Sequence, residues 1–161
     1  MKLCLVFVDG PNFPRRFVLK ELSVYFPHND TYRHYLLKQP FDLWLHGSYT
    51  STNNYHKRVL GGVGVDEHNE GSLDYYSHSS ILGSLSDYCI LTVGHVATKF
   101  LRKALPHSQV LDLQDLSPFK YPLHLNDACC GVQHNPRYCS LAKLWYVKSY
   151  LDANPLNLEL E

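Results

Sequence analysis

The hydrophobic and polar positions of the first quarter of the chain predict three β-strands. Residues 2–9 (KLCLVFVD) are almost continuously apolar and end in a carboxylate, which is typical of a central strand buried on both faces. Residues 16–26 (RFVLKELSVYF) are rich in β-branched and aromatic side chains, so they predict a second strand, paired with the first as a hairpin. Residues 31–38 predict a third strand.

Helical spacing alternates with short apolar runs in the second half of the chain. Residues 73–85, 96–105 and 139–152 place apolar side chains on one helical face, whereas residues 87–94 and 109–113 read as strands. The polar stretch between residues 40 and 71 predicts a long loop or two short elements. This order predicts an α/β protein with a mixed central sheet, antiparallel in its first strands and flanked by helices.

Length and composition narrow the class of protein. The 161 residues fit one domain, which we place at residues 1–151, followed by a short acidic tail at 152–161. Lys+Arg and Asp+Glu are 15 each, which excludes binding of nucleic acid through bulk positive charge but leaves room for a local basic groove. No apolar run predicts a membrane span. The odd number of 5 cysteines favours a reducing, intracellular setting, cytoplasmic or nuclear.

A cysteine–histidine motif precedes the last predicted helix. Cys130, His134 and Cys139 have the spacing C-x3-H-x4-C, and thiolate and imidazole are the ligands that tetrahedral zinc prefers. The alternative is a pair of buried free cysteines with a surface histidine. From composition alone the fourth ligand stays open among four residues: Cys129, His124, Asp127 and Glu21.

Two carboxylates form a second candidate constellation. Asp9 ends the first strand, and Glu21 stands in the strand expected to pair with it. Paired carboxylates at a sheet centre hold Mg²⁺ in two-metal nucleases. Asp9 also fits a simple turn in Asp-Gly-Pro-Asn, whereas a buried Glu21 would need a partner or a metal.

Four segments together resemble a known family: LVFVDGPNF, FVLKELSVY, CILTVGHVATKFL and HNPRYCSLA. Their order and motifs resemble the DEDDh 3′–5′ exonucleases, and more specifically the exonuclease-derived domain of Maelstrom proteins and its relatives in insect mobile elements and viruses. The resemblance runs over residues 2–151 and implies an RNase H-like fold.

The motifs depart from the catalytic pattern of that family. Asp9 matches the first acid, but Pro11 stands at the second, Thr98 or Lys99 at the third and Cys139 at the last. Maelstrom domains resemble the same fold with these acids lost and a zinc-binding Glu-Cys-His-Cys set gained. The resemblance therefore implies four structural zinc ligands: Glu21, Cys130, His134 and Cys139.

These observations favour a zinc-stabilised, exonuclease-derived domain that binds RNA or single-stranded nucleic acid. Six cations are candidates to contact phosphates: Arg15, Arg16, Lys20, Lys99, Arg102 and Lys103. Four tyrosines are candidates to stack on bases: Tyr32, Tyr35, Tyr75 and Tyr76.

Three other functions stay open at this point. In an active nuclease, which would use Mg²⁺, Asp9 is the catalytic candidate and His134 the general base. Other groups to test in a nuclease are Glu21, Asp66, Glu67 and His68. The neutral charge also suits an accessory module that binds a protein partner. A Cys–His hydrolase built on Cys139 is the weakest alternative.

Overall fold

The computed structural model of the chain describes residues 1–40, 43–45, 47–70, 72–123, 125, 132 and 134–158. It confirms an α/β protein with a five-stranded mixed sheet flanked by helices. Within the described residues, no helix is long and apolar enough to cross a membrane.

The central sheet has five strands: β1 (Lys2–Asp9), β4 (Glu21–Phe26), β5 (Thr31–Leu36), β6 (Tyr88–Thr92) and β7 (Val110–Asp112). Their order across the sheet is β5-β4-β1-β6-β7. The first three pair antiparallel, and β6 and β7 are parallel to β1. The predicted antiparallel start and the two later strands are therefore confirmed.

A two-stranded hairpin, β2 (Asn12–Phe13) with β3 (Arg16–Phe17), interrupts the expected long second strand. The chain then crosses back over Gly10, where an added Cβ would lie 2.0 Å from the Val18 carbonyl oxygen. Only glycine allows this close approach. Pairing with β1 begins at Glu21, which stands directly opposite Asp9.

The main helices are α2 (Ser77–Gly83), α3 (His95–Ala104) and α5 (Ser140–Ala153). Shorter segments are α1 (Tyr49–Asn54), which continues into a π-helical turn at Tyr55–Val59, and α4 (Leu113–Leu116). Single 3₁₀ turns lie at Leu43–Leu45 and Pro136–Tyr138. All three predicted helices are confirmed, although α2 is shorter than its pattern suggested.

Two apolar layers cover the faces of the sheet. Cys4, Val6 and Val8 of β1 pack in one cluster with Leu82 of α2 and Leu101 of α3. The alternate β1 residues, Leu5 and Phe7, pack in a second cluster with Leu144 and Val147 of α5. Because β1 is covered on both sides, its sequence is continuously apolar rather than alternating. This arrangement brings the start of α5 against the carboxyl end of β1 and the start of β4.

Candidate metal centre and basic groove

Three of the predicted ligands converge beneath the start of α5. Candidate ligand atoms of Glu21, His134 and Cys139 all lie within 4.8 Å of one another, and each residue's side chain is buried. The Nε2 atom of His134 is 3.0 Å from Oε2 of Glu21, and the Cys139 thiol donates to Oε1 of Glu21 at 3.5 Å. A carboxylate, an imidazole and a thiol in this arrangement form a possible metal-binding triad.

The local folding explains why these side chains meet. Cys139 is the N-cap residue of α5, held in an extended conformation after the Pro136–Tyr138 turn. Glu21 opens β4, the strand that pairs with β1 and packs against α5. Nδ1 of His134 lies 2.6 Å from the Val132 carbonyl oxygen, which accepts its proton and leaves Nε2 toward Glu21. A histidine that binds a metal has its other nitrogen anchored in this way.

Charge coupling within the triad is strong. Burial raises the pKa of Glu21, while the hydrogen bond and charge of His134 oppose that rise. Burial alone would lower the pKa of His134, but hydrogen bonds with Cys139 and Glu21 and the charge of Glu21 raise it to about 11. The buried carboxylate is thus balanced by a proton on the imidazole, and a bound cation would replace that proton.

Cys130 lies outside the described residues, as do His124, Asp127 and Cys129, the other candidates for a fourth ligand. In the part of the chain that the structure describes, Glu21, His134 and Cys139 are the one group of three or more histidine, cysteine or carboxylate side chains close enough to hold a metal.

Asp9 pairs with a lysine, Lys143, whereas the sequence suggested that it could bind a metal. Its Oδ2 accepts a hydrogen bond from Nζ of Lys143 at 2.8 Å, and its Oδ1 accepts the Gly10 amide at 3.0 Å. Burial raises the pKa of Asp9, and the nearby Lys143 charge opposes that rise. Sequence reasoning missed Lys143, although its position four residues after Cys139 predicts that both lie on one helix face.

A basic groove lies between the β2–β3 hairpin, α2 and α3. Its cavity of about 690 Å³ is lined by Arg15, Arg16, Lys99 and Lys103, with His78 and His95 beside them. None of the described residues that line it is acidic. Four of the six predicted phosphate contacts therefore share one surface.

A second cavity of about 480 Å³ lies beside the groove, at the end of β1. Asn12, Phe17, His95 and Val96 line both cavities. The second one also includes Asp9 and Lys143, together with the buried His56, whose pKa is lowered by burial. The two cavities therefore share a wall, and the second one reaches the Asp9–Lys143 pair.

Two of the predicted phosphate contacts do not line the groove, and one predicted stacking residue lines it with a buried ring. Lys20 is buried, and its Nζ donates to Asn69 Oδ1 at 3.0 Å and to the Val65 carbonyl at 3.5 Å, so its assignment to a binding surface is wrong. Arg102 donates to the Val110 carbonyl and does not line the groove. Tyr75 is 4% exposed, with the Arg16 guanidinium over its ring at 5.6 Å, so it cannot receive a base.

The remaining nuclease candidates lie in a loop with other contacts. Asp66 pairs with Lys57 at 3.1 Å and accepts from the Asn53 amide at 2.9 Å. Glu67 accepts the Gly64 amide at 2.9 Å. Both carboxylates therefore hold the loop between α1 and α2.

The chain matches no protein-family model, and it matches no curated protein sequence.

Proposed function

We propose that the chain is a zinc-stabilised, exonuclease-derived domain that binds RNA or single-stranded nucleic acid. The single observation that carries the zinc part is the buried triad of Glu21, His134 and Cys139. Structural zinc takes four ligands, and the family resemblance assigns Cys130 to the remaining position.

The chemistry of the triad supports zinc more than magnesium. Mg²⁺ demands six oxygen ligands, several of them water, whereas this buried cluster offers one carboxylate, one imidazole and one thiol. The cluster also joins parts of the chain that are distant in sequence, because Glu21 opens β4 and Cys139 caps α5. A zinc ion there would fasten the last helix to the sheet.

The strand order supports an origin from an RNase H-like nuclease. Three antiparallel strands are followed by two strands parallel to β1, with helices on both faces, as the resemblance implies. The Asp9–Lys143 pair argues against DEDDh-type catalysis, because an ammonium group occupies the carboxylate that would hold Mg²⁺.

The basic groove supports nucleic acid as the ligand. Four Lys and Arg side chains line it, and none of the described lining residues is acidic, although the chain as a whole has a net charge of +0. Each phosphate contact to a single strand contributes about 0.7 to the dependence of log affinity on log salt. Four contacts would give a slope of roughly −2.8.

Metal content measured by mass spectrometry of the purified full chain tests the zinc part. We expect one zinc per chain, and loss of that zinc in Cys139→Ser. A protein purified without zinc, and unable to take it up, would contradict the proposal.

Titration of single-stranded RNA and DNA oligonucleotides at several salt concentrations tests the binding part. The double variant Lys99→Glu/Lys103→Glu changes two exposed side chains of the groove and should abolish most of the binding. Lys148→Ala is the control, because Lys148 lies on α5 and does not line the groove. Equal loss in both variants, or salt-independent binding, would argue against this site.

The nuclease alternative is tested with a labelled strand and added Mg²⁺. If the wild type trims the strand from its 3′ end and Asp9→Ala does not, a metal ion replaces Lys143 as the partner of Asp9. We expect no trimming.

A further inference from the structure

The cavity at the end of β1 contains a buried histidine that lacks a hydrogen-bond partner. His56 is 4% exposed and lines this cavity, and its ring packs edge-on against Tyr138, with 6.1 Å between the ring centroids. Within the described part of the chain, the imidazole nitrogens of His56 make no hydrogen bond. Because buried polar groups are nearly always hydrogen-bonded, an unpartnered imidazole at a cavity wall favours a ligand that supplies the missing partner.

The N-terminus of α3 forms another wall of the same cavity. Residues 94–97 line it, and the helix begins after Gly94, which has no side chain to cap it. The Thr98 amide donates to the Gly94 carbonyl oxygen at 3.0 Å, so the amides of residues 95–97 have no acceptor within the helix. The first turn of α3 carries no acidic residue. Free amides at the positive end of a helix dipole favour a bound anion.

Lys143 adds a positive charge to this cavity. Its ammonium group has three protons, and one of them is donated to Asp9 at 2.8 Å. Among the described residues, the ammonium group makes no other hydrogen bond, so two protons remain for a ligand. Asp9 is the one acidic residue among the described residues that line the cavity. Both of its oxygens already accept hydrogen bonds, from Lys143 and from the Gly10 amide.

These donors match a phosphate monoester better than a phosphate within a strand. A monoester has three free oxygens and a charge of about −1.5 to −2 at pH 7, whereas a phosphodiester has two free oxygens and a single charge. Imidazole, ammonium and helix amides provide three kinds of donor for three oxygens. His56 and Asp9 are only 4% and 5% exposed, and a terminal group reaches such a site more readily than a phosphate with a nucleotide on either side.

The basic groove lies beside this cavity, and the two share a wall formed by Asn12, Phe17, His95 and Val96. A strand in the groove can therefore place its end in the cavity, whose volume of about 480 Å³ is within the usual range of ligand pockets.

We propose that the cavity binds the terminal phosphate of a single strand held in the groove. The donors are His56, Lys143 and the first amides of α3. The inference rests on the proposed binding of nucleic acid, and it adds recognition of a phosphorylated strand end.

The affinities of one single-stranded oligonucleotide with a 5′-phosphate, with a 3′-phosphate and with neither test the proposal on the full wild-type chain. At constant salt, we expect one phosphorylated strand to bind at least about 10-fold more tightly than the unphosphorylated strand, and the other to match the unphosphorylated strand. Equal, salt-dependent affinity for all three overturns the terminal-phosphate site and leaves the groove intact. Equal increases at both ends would reflect added charge alone and also overturn it. Absence of binding by every strand refutes the nucleic-acid function itself.

Two variants separate the cavity from the groove. His56→Phe keeps an aromatic ring and removes both nitrogens, so it should reduce the advantage of the phosphorylated strand severalfold. Lys103→Ala is the matched control, because Lys103 lines the groove but not the cavity. It should weaken the binding of every strand and keep the ratio between them. The reverse pattern would place the terminal phosphate in the groove and overturn the inference.

Amide chemical shifts of the ¹⁵N-labelled full chain, titrated with inorganic phosphate, test the site without a strand or a substitution. We expect the largest saturable shifts at the amides of His95, Val96 and Ala97. Largest shifts at Arg15 and Arg16 would place the anion in the groove and contradict the proposal. If the α3 amides respond but neither phosphorylated strand binds more tightly, the cavity accepts free phosphate and its assignment to a strand end is wrong.

Discussion

Replacement of Lys143 by methionine tests the ion pair at the end of β1. Asp9 is 5% exposed, and the Lys143 ammonium that balances it lies 2.8 Å away. Methionine keeps the length of the side chain and removes its charge, so Asp9 is left as a buried carboxylate without its cation. Breaking one side of a buried pair costs about 3–5 kcal/mol. We expect about 3 kcal/mol, because the Lys143 side chain is 18% exposed and water screens part of the interaction.

The cost of Lys143→Met should depend on pH. Burial raises the pKa of Asp9, and Lys143 is the main group that lowers it, so the substitution raises that pKa further. A carboxyl group with a raised pKa in the folded state keeps a proton that the unfolded chain has released. Stability then falls as pH rises from about 4, by at most about 1.4 kcal/mol per pH unit. The variant should therefore be nearest to the wild type in acid and lose most near neutral pH.

Urea denaturation followed by tryptophan fluorescence at several pH values measures this cost. Lys148→Met is the matched control, because Lys148 lies on the same helix and pairs with Asp152 at the surface, at 3.3 Å. That exposed pair should contribute about 0.5 kcal/mol or less. Asp9→Asn in the Lys143→Met background should recover much of the loss. A loss no larger than that of Lys148→Met, or one that does not change with pH, would refute the reasoning and show that Asp9 has another cation.

Two further predictions concern residues that hold the fold together. Lys20→Met should leave affinity for nucleic acid unchanged, as binding titrations would show, because the Lys20 side chain is buried away from the groove. Burial lowers the pKa of Lys20 to about 8, so the wild type, unlike the variant, should gain stability as pH rises from about 8 toward 10.5. Chelation of zinc should lower the melting temperature of the wild type but not that of Cys139→Ser, and an equal effect on both would contradict a role for Cys139 in the site.

The sheet was predictable where burial determined the sequence. β1 and β6 are apolar runs because both of their faces are covered, and α3 shows its periodicity because one face is exposed. The burial of Lys20 was not predictable, because its partner Asn69 is 49 residues away. A lysine that follows apolar residues has the same local pattern whether its ammonium group reaches solvent or a partly buried amide.

The same distinction applies to the candidate site: spacing along the chain identifies some of its residues, and contacts between distant segments determine the others. The spacing of His134 and Cys139 is local, and it marked both residues. The approach of His34 to Glu21, at 3.7 Å, was missed, although the turn between Phe26 and Thr31 carried a usable signal. Pairing these two residues places Ser23 opposite His34 and Glu21 opposite Leu36, so His34 is the diagonal neighbour of Glu21. Register inferred from a turn can therefore identify a neighbour of the site that spacing along the chain cannot.

Helix α5 supplies a partner for each of the two central carboxylates, Asp9 and Glu21. Asp9 and Glu21 stand opposite each other on β1 and β4, the arrangement that would let two carboxylates share divalent ions. Cys139 and Lys143 are four residues apart at the start of α5, so they lie on one face and reach Glu21 and Asp9 respectively. Each carboxylate thus has its own partner, an ammonium group for Asp9 and the proposed zinc centre for Glu21. Two buried negative charges can stay stably side by side only when each is balanced, and the structure gives Asp9 and Glu21 separate partners on one face of α5.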